Sequence, residues 1–221
     1  MSLGDPGKWD VLEVGAGRGA DSIYLAQHGA RAHVLDYSPE ALGISGKLAE
    51  QAGVNIELVQ ADALEIPFPD ETFDLIFHQG FLEHFREPGF ILAEQYRVLK
   101  RGGYILVDVP QKYCLYTVRK QIAIKRGTWF AGWETQFGPR ELEKLLRQAG
   151  FTIVSSYAWG MTGSYGWGVR NALHRVKSLV RPSGNGSESE GAGEENIGSG
   201  PVSSRRPLLY LADNIGVIGR K

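Results

Sequence analysis

The stretch WDVLEVGAGRGA, residues 9–20, decides how the rest of the chain is read. Its first half is a short apolar, β-branched run, the pattern of a buried strand. Its second half places glycines at 15, 17 and 19, where a strand would hand over to a helix. Glycine there permits a tight turn, lets the backbone approach a ligand, and leaves the electropositive end of the following helix facing that ligand. The pattern alone is common, and Gly15, Gly17 and Ala20 also satisfy a looser dinucleotide-binding fingerprint.

Outward from this turn, strand and helix signals alternate. Ile23, Leu25 and Ala26 suggest a helix that stops near His28-Gly29, and ARAHVLDYS (30–38) reads as a second strand. Ser38-Pro39-Glu40 opens the next helix, with serine at the N-cap and proline in the first turn, and Gly53 closes it. NIELVQAD (55–62) and residues 73–78 supply the third and fourth strands. A helix around 88–99 runs into Lys100-Arg101-Gly102-Gly103, read as a basic last turn followed by a glycine stop. YILVDVP (104–110) is the fifth strand. This alternation predicts an α/β protein with a parallel sheet built from right-handed βαβ units.

Beyond residue 110 the pattern loosens. Residues 111–137 read as an insertion in which Leu115, Val118 and Ile122 share a helical face, with Arg119, Lys120, Lys125 and Arg126 on its flanks. GPRELEKLLRQAGF (138–151) is a helix between proline and glycine signals, and 151–159 is a sixth strand. A basic helix is expected near 168–180, a disordered loop rich in Gly, Ser and Glu over 181–206, and a closing strand in DNIGVIGRK (213–221). The expected organisation is one domain over 1–221, with 111–137 and 160–180 as insertions forming a candidate substrate lid.

Composition narrows the function classes. No apolar run approaches the roughly 18 residues of a membrane span. One cysteine, Cys114, leaves no internal disulfide and suits a reducing, cytoplasmic setting. A pI of about 6.5 argues against bulk attraction to nucleic acid. The formal net charge of −1 conceals a division: residues 1–110 carry a net −9 and residues 111–180 a net +8. Either the halves dock on each other, or the basic half meets an anionic substrate or a membrane surface.

Three acidic positions make the glycine turn more selective. Glu13 stands two residues before the first glycine, where a carboxylate suits a cationic amine better than a pyrophosphate. Asp36 ends the second strand, where an acid accepts hydrogen bonds from ribose hydroxyls. Asp62-Ala63 end the third strand, an acid and a small residue suited to an adenine edge.

With these features the sequence resembles the class I S-adenosylmethionine-dependent methyltransferases, in their small-molecule, type 11-like branch. The resemblance rests on VLEVGAGRG, HVLDYS, QADALEIPFPDETFDLIFHQGFLEHF and YRVLKRGGYILVDVP, and resumes at FGPRELEKLLRQAGF and the closing strand. It implies a Rossmann-like, doubly wound, mostly parallel seven-stranded sheet whose last strand is antiparallel and lies beside the fifth. It implies that Glu13, Gly15, Ala16, Gly17 and Gly19 hold the methionine end of S-adenosylmethionine. Asp36 would bind the ribose with Tyr37 beside the adenine, Asp62 and Ala63 would contact the adenine, and Gln79 would lie near the methionine moiety or the substrate.

Methyl transfer from a sulfonium draws much of its acceleration from alignment and water exclusion. A base is needed only where the acceptor must lose a proton, and His84, in LEHF, is the candidate. His78 lies beside the same site, but strand alternation can turn it into the sheet. Tyr113, Tyr116, Trp129, Phe130 and Trp133 are candidates to line an acceptor pocket. Some relatives hold a divalent ion with acids and a histidine here. Gly80 stands where one such acid would be, so no metal is expected. No Asn/Asp-Pro-Pro-aromatic motif is present, which disfavours a nucleic-acid substrate. The glycine turn also starts at residue 15, whereas relatives usually place one or two helices before it. A shortened N-terminus, or cover from 111–137 and 160–180, is therefore expected. The expected function is methyl transfer to a small molecule, with an anionic, sugar, lipid or quinone-like acceptor. The alternatives are an NAD-dependent oxidoreductase and a catalytically silent cofactor-binding or membrane-peripheral scaffold.

Overall fold

The computed structural model describes residues 8–130, 132–160, 208–210 and 212–221. Its elements run β1 (Asp10–Val14), α1 (Ala20–Gln27), β2 (Arg31–Asp36), α2 (Pro39–Gln51), β3 (Glu57–Gln60) and β4 (Phe73–Gln79). A one-turn 3-10 helix, Leu82–His84, leads to α3 (Pro88–Val98), β5 (Leu99–Pro110), α4 (Leu115–Lys125), α5 (Pro139–Gln148), β6 (Thr152–Trp159) and β7 (Asn214–Arg220). The expected helix at 168–180 and the loop at 181–206 lie outside the described residues, as does all of 160–180 but Gly160.

Among the described residues seven strands form one sheet in the order β3-β2-β1-β4-β5-β7-β6. β1 to β5 pair in parallel, and β7 runs antiparallel between β5 and β6. This is the Rossmann-like topology that the resemblance implied. The central strands are buried on both faces, which is why β1 and β4 read as nearly continuous apolar runs. One face carries Leu12, Val14, Ile76, Val107 and Ile215 toward α3 and α5. The other carries Val11, Phe77, Leu106, Tyr157 and Trp159, with Leu25 of α1 packed among them.

Local chemistry explains the element ends. The Ser38 hydroxyl accepts from the Ala41 N–H at 3.1 Å and Pro39 follows in the first turn of α2. The Glu141 carboxylate accepts from the Gly138 N–H at 2.7 Å at the start of α5.

The start of β5 differs from the sequence reading. Lys100–Gly103 is not a helix end but part of a strand that begins at Leu99 and irregularly pairs with β4 between Phe73 and Leu75. Lys100 and Arg101 turn outward to Asp74 and Glu71, both at 2.8 Å. A Cβ on Gly103 would stand 2.9 Å from the Lys100 carbonyl oxygen and 3.0 Å from that of Asp74, so the glycine serves close backbone contact within the strand.

Candidate active site

The carboxyl ends of β1, β2, β3 and β4 meet around a cavity of about 410 Å³. That volume is in the range of small-molecule sites. Its floor is the glycine turn. Gly15, Gly17 and Gly19 all adopt left-handed φ angles, +65°, +55° and +63°, and the Gly15 N–H is tied to the Leu35 carbonyl at 2.8 Å. A Cβ on Gly17 would meet nothing within 4 Å, so backbone there borders open space.

At the end of β2, the Asp36 carboxylate accepts from the Gly17 N–H at 3.3 Å and the Ser38 N–H at 2.9 Å. These bonds hold the acid at the cavity wall and couple it to the glycine turn. Tyr37 beside it is 78% exposed. Asp62 follows β3, accepts from the Leu64 N–H at 2.9 Å and lines both this cavity and a neighbouring one that runs along Ser38–Glu40 and Gln60. Ala63 completes this wall. The opposite wall comes from the turn after β4: Gly80, Phe81, His84 and Phe85. Phe81 and Phe85 pack together with ring centroids 4.8 Å apart.

The structure thus brings Gly15, Gly17, Asp36, Tyr37, Asp62, Ala63 and His84 to one cavity. Ala16, Gly19 and Gln79 stand beside it without lining it; the Ala16 carbonyl accepts from the Gly19 N–H at 2.9 Å and shapes the turn. Glu13 also lies outside the lining. It is buried, and its carboxylate oxygen accepts from the Ser22 N–H at 3.0 Å, bracing the first turn of α1. Burial, with Asp21 nearby, pushes its carboxyl up to about 8, so near neutral pH it is a protonated hydrogen-bonding group.

The wall residues Leu35, Phe81 and Phe85 were not singled out in the sequence. Phe81 and Phe85 flank Leu82–His84 at an i, i+4 spacing, the one local signal that pointed to them. His78 turns away from the cavity onto the α3 face, fully buried against Phe81, and burial lowers its imidazole to about 4.

The proposed acceptor-pocket aromatics do not line this cavity. Tyr113 stacks on Tyr210 at 5.9 Å, and Trp133 lies under the Arg86 guanidinium at 4.6 Å. Tyr116 and Trp129 instead flank Lys120, whose ammonium is 5.6 Å and 5.8 Å from their ring centroids and is paired with Glu134. Lys120 therefore belongs to the buried side of α4, not to the flank of its apolar face.

The loop after α4 is stitched to the cavity wall. The Thr135 N–H donates to the Glu83 carbonyl at 2.7 Å and its hydroxyl to the Phe85 carbonyl at 3.2 Å. Glu83 itself is buried, with one carboxyl oxygen lacking a hydrogen-bond partner, and burial raises it to about 7.

The donor set suits an adenosyl sulfonium. Two carboxylates are placed to accept from hydroxyl and amine donors, glycine backbone borders open space, and the far wall is apolar. No cluster of three or more His, Cys, Asp or Glu able to hold a metal occurs among the described residues.

Comparison with known proteins agrees with this geometry. Residues 12–107 match the family model described as a methyltransferase domain. The chain is 34% identical over 158 residues to an uncharacterized methyltransferase of Synechocystis, covering 67% of this chain and 69% of that one. It is 30% identical over 167 residues to the demethylmenaquinone methyltransferase of Listeria monocytogenes, covering 66% and 70%. Its backbone resembles that of a methyltransferase of Thermotoga maritima with a TM-score of 0.63 at 19% identity, covering 97% of this chain and 83% of the other.

Proposed function

Because the chain belongs to the class I S-adenosylmethionine-dependent methyltransferases, we propose that it methylates a small, largely apolar acceptor of quinol or lipid type, received against the Phe81–Phe85 wall. The observation that carries this reading is the polarity of the cavity among the described residues: carboxylates at one end, Phe81, Phe85 and the His84 imidazole at the other, and no Lys or Arg in that described lining. Among the described residues an anionic acceptor finds no counter-charge there, and Arg119, Lys125 and Arg126 are exposed and outside the lining. The name of the Listeria relative supports a quinone-type acceptor.

When bound, S-adenosylmethionine supplies a methyl group already activated by its sulfonium. The chain's part is binding, orientation and exclusion of water. Asp36 would accept from the ribose hydroxyls and Asp62 from the adenine amine, with Ala63 leaving room for the ring. The glycine turn presents backbone where side chains would intrude. Leu35, Phe81 and Phe85 keep the wall apolar. His84, exposed on the same wall, would accept the proton from an acceptor hydroxyl, and residues 111–137 brace that wall through Thr135. An acid placed like Asp36 also binds the ribose of a nicotinamide dinucleotide, so titration with NADH is what separates the two chemistries.

The test is isothermal titration with S-adenosylhomocysteine and with NADH, followed by turnover on a panel of quinols, phenols and sugar phosphates. Binding of the first nucleoside alone, with quinols or phenols methylated and sugar phosphates inert, supports the reading. No binding at millimolar S-adenosylhomocysteine, or turnover confined to phosphorylated compounds, overturns it. His84→Ala should lower kcat on a hydroxyl acceptor about 100-fold while leaving S-adenosylhomocysteine affinity intact.

A further inference from the structure

Helix α4 is amphipathic in the inverted sense. Thr117 and Lys120 face inward at 0% and 3% exposure, while Leu115, Val118 and Ile122 face solvent at 66%, 47% and 45%. Those three lie at i, i+3 and i+7, a single stripe along the helix. Phe130, just beyond the helix, is 90% exposed.

The polar inward face explains why the stripe stays outside. Lys120 is paired with Glu134 at 2.5 Å, and the Glu134 carboxylate also accepts from the Trp129 indole N–H at 2.8 Å. Rotating α4 to hide Leu115, Val118 and Ile122 would pull the ammonium away and strand a buried carboxylate, a strongly unfavourable change. The helix is therefore pinned with its apolar face outward.

The flanks of the stripe identify what meets it. Arg119, Lys125 and Arg126 are exposed, and α4 contains no acidic residue. A second copy of the same face related by a two-fold axis would set these cations against their own counterparts. An apolar stripe bordered only by cations matches the boundary of an anionic bilayer, where the stripe enters the acyl region and the cations stay among the headgroups.

We propose that the outer face of α4, with Phe130, docks this protein on anionic lipid bilayers. The inner face of α4 is linked to the cavity wall through the Lys120–Glu134 pair and the Thr135 bonds to Glu83 and Phe85, so docking holds that wall on a membrane-bound element. The docking itself does not depend on the methyl-transfer reading; its value for an apolar acceptor does.

The test is flotation of the full chain with vesicles of equal phosphatidylglycerol and phosphatidylcholine, and with phosphatidylcholine alone. Expected are co-flotation with the anionic vesicles only, loss of binding at high salt, and at least a tenfold weakening in Val118→Asp/Ile122→Asp and in Arg119→Gln/Lys125→Gln/Arg126→Gln. These variants alter exposed side chains, so thermal melts and S-adenosylhomocysteine titrations should match those of the parent. Absence of flotation, equal binding to neutral vesicles, or unchanged binding by either variant overturns the proposal. So does sedimentation velocity showing a dimer that Val118→Asp/Ile122→Asp dissolves, since the stripe would then belong to a second copy. Vesicle binding without any S-adenosylhomocysteine binding would instead remove the methyl-transfer reading and leave the docking intact.

Discussion

Phe81 sits directly on Gly15: a Cβ built on the glycine would stand 2.1 Å from a ring carbon of the phenylalanine. The first glycine of the turn and the first aromatic residue after β4 thus share one packing contact across the cavity. Gly15→Ala should drive the ring from its place and strain a backbone held at φ +65°. The expected result is a weakening of S-adenosylhomocysteine binding by about tenfold or more, roughly 1.4 kcal/mol. Gly17→Ala, where the added carbon meets no protein atom, should lose only the roughly 1–2 kcal/mol of left-handed backbone cost in stability, while its methyl enters the space offered to the cofactor and weakens binding. Thermal melts and isothermal titration of both variants check this: both should bind S-adenosylhomocysteine less tightly, Gly15→Ala should melt lower than Gly17→Ala, and equal melting losses would contradict it.

Asp36 acts on two backbone amides as well as on the cavity. Asp36→Ala should reduce S-adenosylhomocysteine affinity at least about tenfold, the loss of one to two charged hydrogen bonds. The sheet does not lean on this side chain, so the melting temperature should move by only a few degrees. Wild-type affinity in this variant would remove the ribose role.

Asp108 is fully buried, and burial pushes its carboxyl up to about 8 although Tyr157 and Trp159 both donate to one of its oxygens, at 3.1 Å and 2.8 Å. The folded state therefore holds this proton more tightly than the unfolded chain. Between the usual carboxylate range and pH 8 the folded state binds more protons, so stability falls as pH rises and levels off above 8. Glu13 contributes in the same direction. Asp108→Asn keeps an acceptor for both donors and removes the charge. Urea melts at pH 5, 7 and 9 should show a shallower decline for the variant, with the largest gain over wild type at pH 9. An unchanged slope would show that the group does not titrate in this window.

The Lys120–Glu134 pair is buried on both sides, at 2% and 5% side-chain exposure. Glu134→Gln leaves an ammonium without its anion and should cost about 3–5 kcal/mol. For a chain of this size that corresponds to a fall of roughly 6–20 °C in Tm. Lys120→Met combined with Glu134→Gln should recover much of the loss, because neither residue then carries an unpaired charge. A double variant as unstable as the single would show that packing, not charge, is what the pair supplies.

The elements fixed by local signals were legible before any coordinates. Ser38-Pro39 marks the start of α2, and the β1–glycine–α1 sequence marks the head of the cavity, because caps and turns are written within a few residues. Lys100–Gly103 was not legible: a basic pair before two glycines has the same local appearance at a helix end and in an irregular strand, and only the carbonyls of β4 distinguish them. Lys120 was misplaced for a related reason, since its partner Glu134 lies fourteen residues away. Tyr113, Tyr116, Trp129 and Trp133 lie outside the cavity lining, since composition shows that rings cluster but not what they surround. Asp36, Asp62 and His84 were placed at the cavity because strand ends point to the same edge of a parallel sheet.

The position of β7 has a consequence for how the molecule is made. Residues 214–220 lie between β5 and β6, yet they leave the ribosome after both. Until they arrive, β5 and β6 each present a row of unpaired backbone groups, and Asp108 and Tyr157 face each other across a gap that Gly216 has yet to fill. Once residue 159 has been made, the nascent chain thus holds two open edges until β7 enters between them.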